Sequence, residues 1–150
     1  MTQSILQHGF ATTPIEMQMM WLLKFQAPID DIDLIFEAIT DIEPLAHGKT
    51  NMNGYRHAPG QEYYRPREGT PTGAEEDIRK RPGVDEMSLF LPRDEDKLRR
   101  VIEAIYEVHC YYEPVIIVQE VLRSRGKGLD DNKNPHRWWN KTGDWKTANG

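Results

Sequence analysis

Residues 98–122, LRRVIEAIYEVHCYYEPVIIVQEVL, decide the fold. Leu98, Val101, Ile102, Ile105 and Val108 recur three and four apart, which predicts a helix with one stripe to bury. Pro114 cannot continue that helix, and it biases Glu113 toward extended angles. Val115, Ile116, Ile117 and Val118 follow, β-branched throughout, and predict a strand at least partly covered on both faces. One segment therefore hands a helix directly to a sheet.

Upstream, residues 17–25 alternate: Met19, Trp21, Leu23 and Phe25 on one face, Met20, Leu22 and Lys24 on the other, ending at Pro28. This predicts a strand with an apolar inner face. Ile32, Ile35, Phe36 and Ile39 predict an amphipathic helix, capped by Asp30 or Asp31 and finished before Pro44. Residues 48–57 read as a polar edge strand anchored by Met52 and Tyr55. Residues 58–85 hold Pro59-Gly60, Pro66, Gly69, Pro71, Gly73 and Pro82-Gly83, and read as one long loop. Residues 86–91 return to strand, and Asp94 caps the helix already described. The order is β-α-β-(long loop)-β-α-β. It predicts an α+β, ferredoxin-like sandwich: a four-stranded antiparallel sheet with two helices on one face. Residues 1–16 are expected to be an arm, 17–122 the domain and 123–150 a C-terminal extension.

At 150 residues, 38% hydrophobic and 29% charged, the chain suits a single soluble domain. No apolar run approaches the roughly 20 residues of a bilayer span, and no signal pattern opens the chain, so no membrane partner is expected. The single cysteine, Cys110, cannot close an internal disulfide, which points to a cytoplasmic setting. A formal charge of −5 argues against nucleic acid as a general partner. Residues 123–150 carry seven Lys/Arg and three Asp/Glu, a net +4 that leaves −9 on residues 1–122. That extension also holds Trp138, Trp139 and Trp145. Aromatics are scarce in disordered segments, so the extension is expected to dock.

The pattern resembles the PII-like, CutA-like domain, in the version inserted into bacterial YqfO-type dinuclear-metal proteins and also found alone. That domain ends its second helix in a His-Pro-Tyr-Glu-Glu-Pro-like motif. Here the match is His109-Cys110-Tyr111-Tyr112-Glu113-Pro114, with Cys110 at the proline and Tyr112 at the first glutamate position. The Gly-Asn-Tyr-Ser block is similar to Asn53-Gly54-Tyr55-Arg56. The Phe-Arg-Pro-x-Glu-Gly block is similar to Tyr64-Arg65-Pro66-Arg67-Glu68-Gly69. The resemblance implies a homotrimer, small ligands or metal ions held in clefts between subunits, and a long loop that serves as a contact arm. The flanking catalytic lobes of the long proteins are missing, so their dinuclear site is not expected.

For metal, His109 and Cys110 offer an imidazole and a thiol, with the Glu113 carboxylate four residues after the histidine. Two ligands do not close a site, so a divalent ion would need a neighbouring subunit's groups. The alternative places His109 at the helix C-terminus as a favourable cation and Cys110 in the core. Tyr111 and Tyr112 are expected to pack. For a small ligand, the candidates are Lys49, Tyr55, Arg56, Arg65, Glu68 and Glu113, since cationic forks beside turn amides hold phosphate or carboxylate. No phosphate-loop pattern and no nucleophile-base pair can be assembled. The expected function is therefore a non-catalytic binding module. A pure interaction subunit acting through loop and tail is the alternative, and an enzyme with an inter-subunit site comes third.

Overall fold

The computed structural model describes residues 5–128 and 134–140, with Trp138 described by its backbone alone. Among the described residues six strands form one sheet: β1 (Phe10–Ala11), β2 (Ile15–Pro28), β3 (Tyr55–Arg56), β4 (Gly60–Tyr64), β5 (Arg79–Leu91) and β6 (Ile116–Gly126). Two helices, α1 (Ile32–Thr40) and α2 (Glu95–Val108), complete it. β2 is central, with β6 along one side and β5 along the other, while β3 and β4 pair with the far edge of β5. All pairings are antiparallel. This is the expected ferredoxin-like βαββαβ order.

The inner sheet face carries Leu23, Phe25 and Ala27 of β2 opposite Leu89, Met87 and Asp85 of β5. Ile32, Ile35 and Ile39 of α1 and Val101 and Ile105 of α2 are buried in the same cluster, so both helices cover this face. Each large side chain buried there stabilises the fold by roughly 1.5–3 kcal/mol. Trp21, Phe36, Leu98, Ile102 and Val108 pack half-buried around it. Asp94 caps α2 as expected, its carboxylate accepting from the Lys97 amide at 3.2 Å.

Several expectations change. Asp31 stands before α1 but makes no side-chain cap bond; a short 3-10 turn, Ile29–Asp31, leads into the helix instead. Of residues 48–57 only Tyr55–Arg56 is strand. The rest is held by a tight turn in which His47 and Thr50 exchange backbone bonds at 2.9 and 3.1 Å, with Asn53 donating to Leu45 O. The 58–85 loop is largely a hairpin: β4 pairs with residues 79–84 of β5. Pro82, which has no amide to donate, sits opposite an irregularity at Gly60/Gln61, where strand proline is tolerated. The arm also folds back, Phe10–Ala11 pairing with Met17 and Glu16. Gly9 makes this possible: at φ +80, an added Cβ would lie 2.4 Å from Met17 O.

The largest correction concerns β6. It begins at Ile116, runs on to Gly126 and, among the described residues, pairs with β2 alone. With a single neighbour it is an edge strand rather than a covered one, and Val115, Ile117 and Val118 are exposed. Among the described residues no helix is long and apolar enough to cross a membrane.

Candidate functional site

The joint between α2 and β6 is built on His109. The helix ends there because His109 turns to extended angles (φ −74°, ψ 139°). Its ring is buried and both nitrogens are engaged: the Tyr111 amide donates to Nδ1 at 3.0 Å, and Nε2 lies 2.7 Å from Gln26 O. A nitrogen that accepts an amide proton carries none, so Nε2–H donates to the carbonyl. His109 thus ties the joint to β2 rather than interacting with the helix end as a cation. Cys110 is exposed, not a core residue. Partial desolvation, then a hydrogen bond to the Asp31 carboxylate and its charge, push its thiol pKa up.

Tyr111 is more than packing. Its hydroxyl donates to Glu62 Oε1 at 2.6 Å and accepts from Arg81 Nη1 at 2.9 Å. Arg81 Nη2 in turn reaches Tyr64 Oη at 2.9 Å, which also accepts from Arg79 Nη1 at 3.2 Å, and Arg79 is paired with Glu75. The hairpin is therefore fastened to the joint through one aromatic–guanidinium chain. Desolvation, with Glu62 adding to it and Arg81 opposing, raises the Tyr111 pKa to about 12.

A second network holds β3. Arg56 Nε donates to the buried Asp85 Oδ2, Nη2 donates to Ile29 O at 2.9 Å, and Nη1 stands 3.7 Å from Asp33. Asp85 Oδ1 is buried without a partner among the described residues. The sequence reading that starts this strand at Glu86 leaves Asp85 in the loop, whereas β5 already includes it. Carrying the alternation Leu91, Leu89, Met87 one step further puts an aspartate on the inner face.

The ligand candidates do not converge within one chain. Arg65 and Glu68 are exposed where β4 runs out into the hairpin tip, with Pro66 buried between them. Tyr55 is exposed, edge-on to His57 at 5.1 Å. Glu113 is exposed at the joint, and Lys49 lies by the far end of β6. Among the described residues no three His, Cys, Asp or Glu groups gather as a metal site would. Beside the joint is a hollow of about 400 Å³ between α2 and β6, lined by Ile102, Glu103, Tyr106, Glu107, Pro114 and Ile116. In the C-terminal extension Trp139 is exposed, while Trp145 and the Trp138 side chain lie outside the described residues.

Neither a protein-family model nor a curated protein sequence matches the chain. Solved structures do. A Bacillus cereus protein related to NIF3 superimposes with TM-score 0.57 at 18% identity, over 79% of this chain and 31% of that one. The chain thus spans about a third of that protein's length. The divalent ion tolerance protein CutA1 of Ehrlichia chaffeensis gives TM-score 0.51 at 16% identity, over 75% and 86%. The apo form of a nitrogen regulatory PII-like protein of Thiomonas intermedia gives 0.42 at 11%, over 74% and 98%. The likeness to the first two is one of fold, and the fold is the ferredoxin-like sandwich that CutA1 shares.

Proposed function

We propose that this PII/CutA-like chain works in the cytoplasm as a homotrimeric binding module, of the YqfO-insert type, that takes a small ligand between subunits. The observation that carries the proposal is the free edge of β6. An edge strand that presents Val115, Ile117 and Val118 to solvent invites another strand, and monomeric proteins usually blunt such edges with charge or proline. The hollow beside it shares Ile116 and is walled by Ile102 and Tyr106, so the apolar surface is continuous from strand to helix. Exposed Glu113 and Tyr55, and exposed Arg65 and Glu68 beyond the end of β4, suit contacts across a boundary better than contacts within a chain. Arg56 would contribute from the network it shares with Asp85.

A small ligand is better supported than a metal ion, because both His109 nitrogens are already bonded inside the chain. Metal at His109 and Cys110 would require breaking one of those bonds and drawing further ligands from a neighbour. Light scattering at micromolar concentration tests the reading. A trimer is expected, and Val118→Lys together with Ile117→Lys should dissociate it while leaving the circular dichroism spectrum unchanged. A wild-type monomer overturns the proposal.

A further inference from the structure

The hollow between α2 and β6 combines apolar walls with an acidic rim. Ile102, Tyr106, Pro114 and Ile116 supply the apolar surface, and Tyr106 is 54% exposed. Glu103 and Glu107 stand beside them, both exposed. The two acids disfavour the helix that carries them. They are four residues apart, where like charges on one helix face repel. Glu107 also sits in the last turn of α2, where the dipole favours a cation, and no basic residue stands in that turn. Apolar area flanked by carboxylates suits an occupant that is both aromatic and basic.

The chain itself holds a segment of that chemistry. Residues 132–141, NKNPHRWWNK, contain Lys133, Arg137 and Lys141, two tryptophans and no acid. Trp139 is exposed there, on the 3-10 turn Trp138–Asn140. That turn does not reach the hollow of its own chain. Arg137 lies with residues 125–128 at the far end of β6, and Ile116 is at the near end, roughly 30 Å away along an extended strand. Trp139 is two residues past Arg137, which adds at most about 7 Å of reach. The occupant must come from another copy.

We propose that the Trp139 turn of one copy docks in the α2–β6 hollow of a neighbouring copy, its indole against Ile102, Tyr106 and Pro114 and its Lys/Arg side chains toward Glu103 and Glu107. This rests on the reading that copies assemble, and it adds which surfaces meet. The hollow, about 400 Å³, has the volume to take an indole, and a tryptophan in a pocket is a strong interface anchor. The opposed charges set the orientation. Hollow and turn lie at opposite ends of β6, so the contact is head-to-tail, the kind from which a closed ring such as a trimer is built.

Cross-linking of the full chain at micromolar concentration tests this. The chain carries Cys110→Ser, Glu107→Cys at the hollow and His136→Cys three residues before Trp139, and is treated with a short bis-maleimide. Glu107 and His136 are exposed, so the substitutions spare the core. Covalent dimers and trimers are expected on a denaturing gel. Neither single-cysteine variant should give them, nor should Glu95→Cys, at the opposite end of α2, in place of Glu107→Cys. Trp139→Ala should cut the yield by about tenfold and Glu103→Lys several-fold at low salt, with the oligomer by light scattering and the circular dichroism spectrum unchanged. The inference is overturned by a cross-link internal to single chains, by a trimer that yields no linkage between chains, or by yields that neither Trp139→Ala nor Glu103→Lys lowers. A trimer without linkage leaves the assembly itself standing, whereas a monomer overturns both.

Discussion

A tyrosine and a histidine of one motif do different work, and burial separates them. His109 spends both nitrogens on backbone groups, so its contribution is to the path of the chain. Tyr111 instead carries a hydroxyl between a carboxylate and a guanidinium, in a place where its ionised form is disfavoured. A group whose pKa is raised on folding stabilises the fold fully below its unfolded value, near 10 for tyrosine. That contribution is lost as pH rises toward the folded value of about 12. An alkaline titration followed by phenolate absorbance should therefore show a late tyrosine step that Tyr111→Phe removes. The same variant should lose less stability than wild type as pH climbs from about 10 to about 12. Equal losses would mean that Tyr111 ionises as freely in the fold as out of it.

At the scale of elements, β3 is only two residues long, and two ladder positions cannot hold a strand in place. Beside the His57 bonds to Glu86 O and Ser88 Oγ, what holds it is Arg56, which spans β3, the buried carboxylate of β5 and the turn before α1. Asp85 is 3% exposed in its side chain and Arg56 35%, so the loss on removing the arginine should fall below that of a fully buried pair. Arg56→Met is expected to cost about 2–3 kcal/mol by denaturant unfolding, because Asp85 is left charged and unpaired. Adding Asp85→Asn should recover part of it. A cost under about 0.5 kcal/mol, the size of an ordinary surface change, would show that β3 is held by something else.

For the whole molecule, the question is how the basic extension meets the acidic body. β6 continues to Gly126, and the Lys127 amide bonds Pro14 O at 3.0 Å, so the sheet ends beyond residue 122. A truncation that spares the ladder must fall after Gly128. It should lower the melting temperature, and the loss should persist in high salt. Exposed ion pairs contribute only about 0–1 kcal/mol each and are screened, whereas apolar contacts made by the extension would not be. A melting temperature unchanged by truncation would mean that the extension contributes nothing to the fold.

By itself the sequence determined whatever depends on local period: the inner face of β2, the existence of a strand at 86–91, the stripes of α1 and α2, the Asp94 cap, and the joint at Pro114. Apolar side chains recurring at 2.0 or 3.6 residues have few ways to be buried, so these elements and their order were readable. The tertiary structure alone decided what depends on neighbours. The hairpin is a polar ladder fastened by Tyr64, Arg79, Arg81 and Tyr111, and polar alternation between turn residues looks the same as a loop. The first residues of β6 are as apolar as a covered strand, and their exposure comes from having β2 on one side and no further strand among the described residues on the other. The candidate residues were legible as chemistry but not as a place: Arg56 found Asp85 and Tyr111 found Glu62 only once the chain had folded. Charge and hydrogen bonding act through space, and residues that stand 29 and 49 positions apart carry no local signal that they will meet.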